Sequence, residues 1–569
     1  MIQKHRFMKL TYVFLSFWML GLFTSCVDKH PKADMVIFNG LIHTLNKKEP
    51  RAEALAIVDG KIVYVGNNLN ANNWVGDSTK ILDLNKKTVV PGFIDGHAHL
   101  MGVGYNMMNL DLSKTNSYEE IISAVKAKAS STKKGEWIIG RGWHQEKWDS
   151  IPSPSFQGFP TNDSLSAVSP NNPVVLMHAS GHLILVNQKA LKLAKITKKT
   201  TNPEGGEIFR NEDDLPTGIL NESATQLVQS IIPEPSDEKR IEALNHAIEE
   251  YLSHGVTAVH DAGIDQKTIA LYESFYNQNM LHLRVNAMLD GSDSKLLDHW
   301  FQTGPKVDND FLTVRTIKLY ADGALGSRGA LMLEPYSDAP EESGKKITTA
   351  DQLLRVSERA YETGFQVAIH CIGDAANKAV LNIYKIVFQS DTTKVNPRFR
   401  IEHAQHIAAD DIPRFGEMGV IPSMQAIHMS SDRPWAIHRI GEERIKEGAY
   451  VWRKLIDSGA TVMNGTDAPV EPVSVLANFY ASITRKTLSG DPEDGFEGDQ
   501  KMTRIEALES LTINNAYGAF QEDIKGCIEI GKVADLTILS QDIMSIPEED
   551  ILKTEIEYTI VDGQVRYKK

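Results

Sequence analysis

A chain of 569 residues exceeds what one hydrophobic core usually serves, so two domains, or one large barrel with additions, is the expectation. An apolar fraction of 42% and a charged fraction of 24% are those of an ordinary globular protein, and three cysteines (Cys26, Cys371, Cys527) cannot build a disulfide framework. Lysine and arginine number 60 against 74 acidic residues, a net charge of −14 without a long basic block, which excludes a nucleic-acid footprint.

The chain opens with MIQKHRFMKL, then the apolar run TYVFLSFWMLGLF, then Thr24-Ser25-Cys26. A basic start, a short apolar stretch and small residues describe an export signal, and the run is shorter than the roughly 20 residues a spanning helix needs. The segment resembles a bacterial lipoprotein signal, with Phe23 where leucine is usual. On that reading residues 1–25 are removed and Cys26 carries the lipid. The protein is then exported to the cell envelope and lipid-anchored to a bacterial membrane. An uncleaved anchor or a plain secretory signal is the competing reading.

Residues 33–90 alternate apolar and polar positions, with turn signals at Asn39-Gly40, Asp59-Gly60 and Gly66-Asn67 that predict hairpins. The C-terminus has the same texture in GKVADLTILS and EIEYTIVDGQVRYKK. Residues 33–90 and 526–569 are therefore expected to form one small composite β-sandwich domain built from both termini. Between them, residues 91–525 alternate apolar strands with helical stretches, the pattern of parallel βαβ units. Strands are predicted at GFIDGHAH, VTAVHDAG, LRVNAML, RTIKLYADG, QVAIHCIGD, FRIEHAQ, VIPSMQ and TVMNGTDAP. Eight strands with intervening helices predict an α/β fold of the (β/α)8 TIM-barrel type. A long insertion after barrel strand 1, about residues 105–250, carries its own strand-like runs, EWIIGRGW and PVVLMHA.

Polar residues recur at the ends of these strands. Strand one ends in His97 and His99, strand four carries Lys318, strand five ends in His370, strand six in His403 and strand eight in Asp467. In such a barrel, residues at the carboxyl ends of different strands converge on one face. Imidazole and carboxylate together suit zinc and its first-row neighbours. His97 and His99, two apart on a strand, point to the same side. His406 follows His403 by three residues, and strand geometry favours His403 because it ends the apolar segment. Asp467 could equally cap the turn before Ala468-Pro469. A lysine inside an apolar strand is costly unless paired or neutralised, so Lys318 should have a purpose. Cys371 beside His370 reads as packing, since adjacent strand residues point to opposite faces.

PGFIDGHAHL resembles the strand-one signature of the amidohydrolase superfamily. KLYADGALGSRGA, VAIHCIGD, RIEHAQ and NGTDAPVEP resemble the later signatures of its amidohydrolase-3, YtcJ-like branch. GRGWHQEKWD and HASGHLILVNQKAL are similar to that branch's insertion. The resemblance implies His97, His99 and Asp467 around a first divalent metal, zinc by preference. It also implies, where Lys318 is carbamylated, a bridge to a second ion held by His370 and His403; a single ion is the alternative. It implies a hydrolase cleaving a non-peptide carbon–nitrogen bond of amide or formamide type, with Asp467 as general base and then acid. The alternatives are hydrolysis or isomerisation at another bond (ester, lactone, deamination), or a substrate-binding lipoprotein without catalysis. Asp322 and Arg328 after strand four, and Trp143, His144, His178 and His182 in the insertion, are candidate substrate contacts. Ordinary packing or ion pairing competes at each of these. The expected partners are a small-molecule substrate and, through Cys26, a membrane; self-association into a homo-oligomer is compatible with this reading.

Overall fold

The computed structural model describes residues 31–569, apart from 146, 147, 151, 152, 180, 182, 204, 392, 394 and 395. The expected export segment 1–25, Cys26 and His182 thus lie outside the described residues.

At the centre stands a parallel eight-stranded sheet rolled into a nearly closed barrel. In chain order its strands are β1 (Phe93–Ala98), β2 (Val256–Ile264), β3 (Arg284–Asp290) and β4 (Leu312–Tyr320), then β5 (Gln366–Cys371), β6 (Arg400–His403), β7 (Ile421–Met424) and β8 (Met463–Asn464). Each pairs with its sequence neighbour. The strands are near-continuous apolar runs because helices cover their outer side, as a parallel sheet requires. Typical of these helices is Ala350–Thr363, started by the Thr349 side chain and stopped by Gly364 in a left-handed conformation.

The seam between β8 and β1 is closed by loop contacts. The Asp467 amide donates to the His97 carbonyl at 2.8 Å, and the His99 amide to that of Ala468 at 2.8 Å. This approach requires glycine at 465, since a Cβ there would sit 2.4 Å from the His97 nitrogen.

After β1 the chain leaves the barrel through helix Leu100–Met108 and returns through helix Asp237–Ser253. Between these helices lies a six-stranded mixed sheet with its own core, which includes Trp143, Leu176, Leu185 and Phe209. The expected strand-like runs of the insertion are its strands Ile138–Trp143 and Val174–His178.

Strands from the two ends of the chain meet in another six-stranded sheet. Leu536–Leu539 runs antiparallel to Thr88–Pro91, which pairs in parallel with Leu41–His43. A four-stranded sheet drawn from residues 35–83 shares a core with it, where Ile37, Leu55, Ile538 and Ile560 pack together.

Candidate metal centre

His97, His99, Lys318, His370, His403 and Asp467, spread over 370 positions of sequence, all line one cavity of about 410 Å³ at the carboxyl ends of the barrel strands. Period-two alternation on β1 turns Asp95 and His97 the same way. Asp95 accepts from the Thr466 amide and hydroxyl at 2.8 and 2.5 Å, which fastens β1 to the loop that carries Asp467. His403 and Asp467 both have positive φ, 70° and 56°. Non-glycine residues held there are strained, and such strain gathers at functional sites.

The ring nitrogens are sorted by what lies behind them. His97 Nδ1 faces the Glu402 carboxylate, His99 Nδ1 lies 3.1 Å from the Ala262 carbonyl oxygen, and His403 Nδ1 lies 2.7 Å from Gln425 Oε1. With each Nδ1 donating to an oxygen, each Nε2 lone pair is left for another partner, the arrangement that orients metal-ligating imidazoles. His97 Nε2 is 3.6 Å and His99 Nε2 3.2 Å from Asp467 Oδ1, while His428 Nε2 is 3.7 Å from Asp467 Oδ2.

Electrostatics favour neutral imidazoles and an ionised aspartate. Burial, with Lys318 nearby, lowers His97 to about 4 and His370 to about 3. Burial raises the Asp467 carboxyl, but a hydrogen bond with His99 and the charge that His97, His403 and His428 carry when protonated outweigh that and hold it well below the usual range. Neutral histidines and a carboxylate are the ligand forms that a divalent ion binds.

Among the described residues, two groups have donor atoms close enough to hold an ion: His97, His99 and Asp467, and His403, His428 and Asp467. The second contains His428 where the resemblance implies His370. The His370 ring packs against His403 with centroids 4.4 Å apart, and its Nε2 is 3.7 Å from Asp322 Oδ1. His370 Nε2, His428 Nε2 and Asp467 Oδ1 are buried without a hydrogen-bond partner. Atoms in that state are costly unless a ligand completes them, so the donor set fits a divalent cation. Lys318 is buried, its Nζ 3.5 Å from His97 Nε2 and 4.4 Å from the Tyr320 ring centre.

Other expected residues serve elsewhere. Asp322 does not face the cavity: its carboxylate accepts from the amides of Leu331, Ile372 and Gly373 at 2.8, 3.0 and 2.8 Å, tying together the loops after β4 and β5. Burial pushes that carboxyl up to about 7. Arg328 pairs with Asp338 at 3.0 Å. Trp143 is buried in the insertion's own core, stacked on Trp148, and donates to the Leu176 carbonyl at 3.0 Å. His178 packs against Trp143 and against His144, at centroid distances of 4.9 and 4.5 Å. None of Asp322, Arg328, Trp143, His144 and His178 is among the residues lining the cavity.

Sequence reasoning missed Glu402 and Arg400. Both side chains are fully buried, with Arg400 donating to Glu402 at 2.6 and 2.8 Å, to the Gly96 carbonyl at 2.8 Å and to Ser423 Oγ at 3.1 Å. Burial would raise the Glu402 carboxyl, yet Arg400 and His97 hold it far below the usual range. The signal was present, since RIEH puts two opposite charges on one face of an apolar strand. His428 was missed as well, although it follows the end of β7 on the same rim.

A parallel barrel whose carboxyl rim gathers these histidines, a lysine and an aspartate at one cavity defines a metal-dependent hydrolase. The amidohydrolase family model matches residues 80–567, and the chain belongs to that family. It is 31% identical to Bacillus subtilis YtcJ over 93% of this chain and 98% of that protein. Its identity to the N-substituted formamide deformylase of Arthrobacter pascens is 27%, over 94% and 98%. Among solved structures, an uncharacterized metal-dependent hydrolase from Pyrococcus furiosus superposes with a TM-score of 0.74 at 28% identity, covering 90% of this chain and all of that one.

Proposed function

We propose that this protein hydrolyses a non-peptide carbon–nitrogen bond, of amide or formamide type, in a small molecule. The observation that carries the reading is the set of imidazole nitrogens turned toward the Asp467 carboxylate in one cavity. The relative named N-substituted formamide deformylase supports the choice of bond.

Imidazole and carboxylate donors suit Zn²⁺. His97, His99 and Asp467 would hold one ion; His403, with His428 or His370, would hold a second if Lys318 is carbamylated. Lys318 is a primary amine buried without a carboxylate within ion-pair distance among the described residues, and carbamylation would turn it into an anionic oxygen ligand. When bound, the metal supplies Lewis-acid polarisation and lowers the pKa of water towards ~7. The protein's own part is the proton. Asp467, ionised in its ring of histidines, takes it from the attacking water and returns it to the leaving nitrogen. Tyr320, Leu325 and Ile372 line the cavity beside it.

Export and lipidation at Cys26 belong to the same proposal and rest on residues 1–26 alone. No helix among the described residues is long and apolar enough to cross a membrane. The intact mass of the mature protein tests for removal of residues 1–25 and an acylated Cys26.

The activity test is a hydrolysis screen of the purified protein over N-formyl amines, N-acyl amino acids and cyclic amides, beside matched esters and lactones. Chelation should abolish turnover and zinc or manganese restore it. Turnover of esters or lactones alone would refute the assigned bond, and turnover indifferent to chelation would refute the metal.

A further inference from the structure

Beyond the ligand cluster the same cavity is lined by Asp432, Trp435 and Glu471, none of which the metal centre uses. His428, Asp432 and Trp435 are spaced i, i+4 and i+7 in helix Ala426–Gly448, so they form one stripe along it. Glu471 comes from the loop after β8 and accepts from Ser431 Oγ at 2.5 Å; Asp432 accepts from Gln405 Nε2 at 3.3 Å.

Neither carboxylate has a lysine or arginine within ion-pair distance among the described residues. The nearby candidates are engaged: Arg433 pairs with Glu497 at 2.6 Å, and Arg439, whose guanidinium lies 6.0 Å from the centre of the Trp435 ring, pairs with Asp338. Burial, offset in part by His428 and reinforced by Glu471, pushes the Asp432 carboxyl up to about 6. Lys318, the one lysine or arginine lining the cavity among the described residues, belongs to the ligand cluster. His428 is only 8% exposed, lines the cavity, and leaves its Nε2 without a hydrogen-bond partner. That nitrogen faces Asp467 and belongs with the ligand cluster, so the cavity lining left to meet a substrate here is Asp432, Trp435 and Glu471. Two uncompensated carboxylates beside an indole repel an anion and suit an organic cation, which gains charge-assisted hydrogen bonds from the first and cation–π attraction from the second.

We propose that the substrate carries, apart from its scissile bond, a protonated nitrogen (an alkylammonium or guanidinium) seated between the carboxylates of Asp432 and Glu471 and the indole of Trp435. The inference rests on the amide-hydrolase reading and narrows it to cationic amides.

The test compares three substrates of equal length on the zinc-loaded protein: mono-N-acetyl-1,4-diaminobutane, N-acetylpentylamine and N-acetyl-5-aminopentanoate. The cationic amide should exceed the neutral one in kcat/KM by about tenfold or more, and the anionic one should be poorest. Asp432→Asn and Glu471→Gln should each lower the cationic-to-neutral ratio about tenfold, chiefly through KM. A native preference for the neutral or anionic amide, or a ratio unmoved by both variants, overturns the proposal. So does a loss of bound zinc in Asp432→Asn, which would assign the pair to the metal. If no amide is hydrolysed, the amide reading fails, and calorimetric binding of 1,4-diaminobutane reads the subsite alone. Binding weakened by Glu471→Gln supports the subsite; absence of binding, or binding that Glu471→Gln leaves unchanged, overturns it.

Discussion

Replacing Glu402 by glutamine separates two jobs that one carboxylate performs. On one side it sits behind His97 Nδ1; on the other it receives two hydrogen bonds from Arg400, and both side chains of this ion pair are fully buried. Glutamine keeps the shape but removes the charge, leaving the Arg400 guanidinium without its counter-ion. Breaking a buried pair at one end typically costs ~3–5 kcal/mol. Arg400 keeps its bonds to the Gly96 carbonyl and Ser423 Oγ, so the lower end, about 3 kcal/mol, is expected. The second effect is on the metal. Loss of the acceptor behind a ligating histidine typically weakens binding ~10–100-fold, or about 1.4–2.7 kcal/mol. The melting temperature of the apo-protein reads the first effect, and zinc affinity by competition with a chromophoric chelator reads the second. An apo-protein that melts with the wild type, together with zinc affinity within about twofold of it, would refute the reasoning.

Asp467→Asn should fold and retain metal in part while losing ~10²–10⁴ in turnover, measured on whichever amide the screen identifies; near-native turnover would remove Asp467 from the proton path. Lys318→Ala should reduce bound metal from two ions to one by elemental analysis, and an unchanged count would eliminate the bridging carbamate. Gly465→Ala would place a Cβ 2.4 Å from the His97 nitrogen and 2.8 Å from Asp95 Oδ1, so it should cost ~1–3 kcal/mol and lower zinc content. Lys525 is fully buried, and burial lowers its pKa from 10.5 to about 7. The unfolded chain binds the proton first, so stability should fall as pH drops from about 10.5 to about 7 and level off below. Lys525→Met should flatten that slope and melt higher at pH 7, whereas an unchanged slope would rule out a buried neutral amine.

The barrel was legible because its strands are buried on both faces and read as largely apolar runs, several with a polar residue at or just past their carboxyl end. Five of the eight ends carry a residue that lines the cavity. His428 escaped because it stands in the first turn of a helix, where no apolar strand announces it. Glu402 escaped because it does not face the cavity but stands behind His97, and the sequence of a strand does not show which polar side chain supports a ligand from behind. The substrate candidates misled for a different reason. Trp143 and His178 look exposed to function because they lie in an insertion, but the insertion has a core of its own that takes them in. Asp322 follows a strand on the catalytic rim, yet three backbone amides converge on it, and sequence does not reveal where loop amides point.

The strand Thr88–Pro91 leads directly into the first barrel strand, and its antiparallel partner Leu536–Leu539 is made more than four hundred residues later. At 5–20 residues per second a ribosome needs roughly 20–90 s to cover that gap. Throughout this interval the edge of Thr88–Pro91 waits without its neighbour, and the chain cannot complete its structure in the order in which it is made. A nascent or truncated chain ending before residue 536 would present an open apolar strand edge, a template for association with other unfinished chains. The strand Leu536–Leu539, far from the chemistry in sequence, thereby covers the edge of the segment that feeds the first barrel strand.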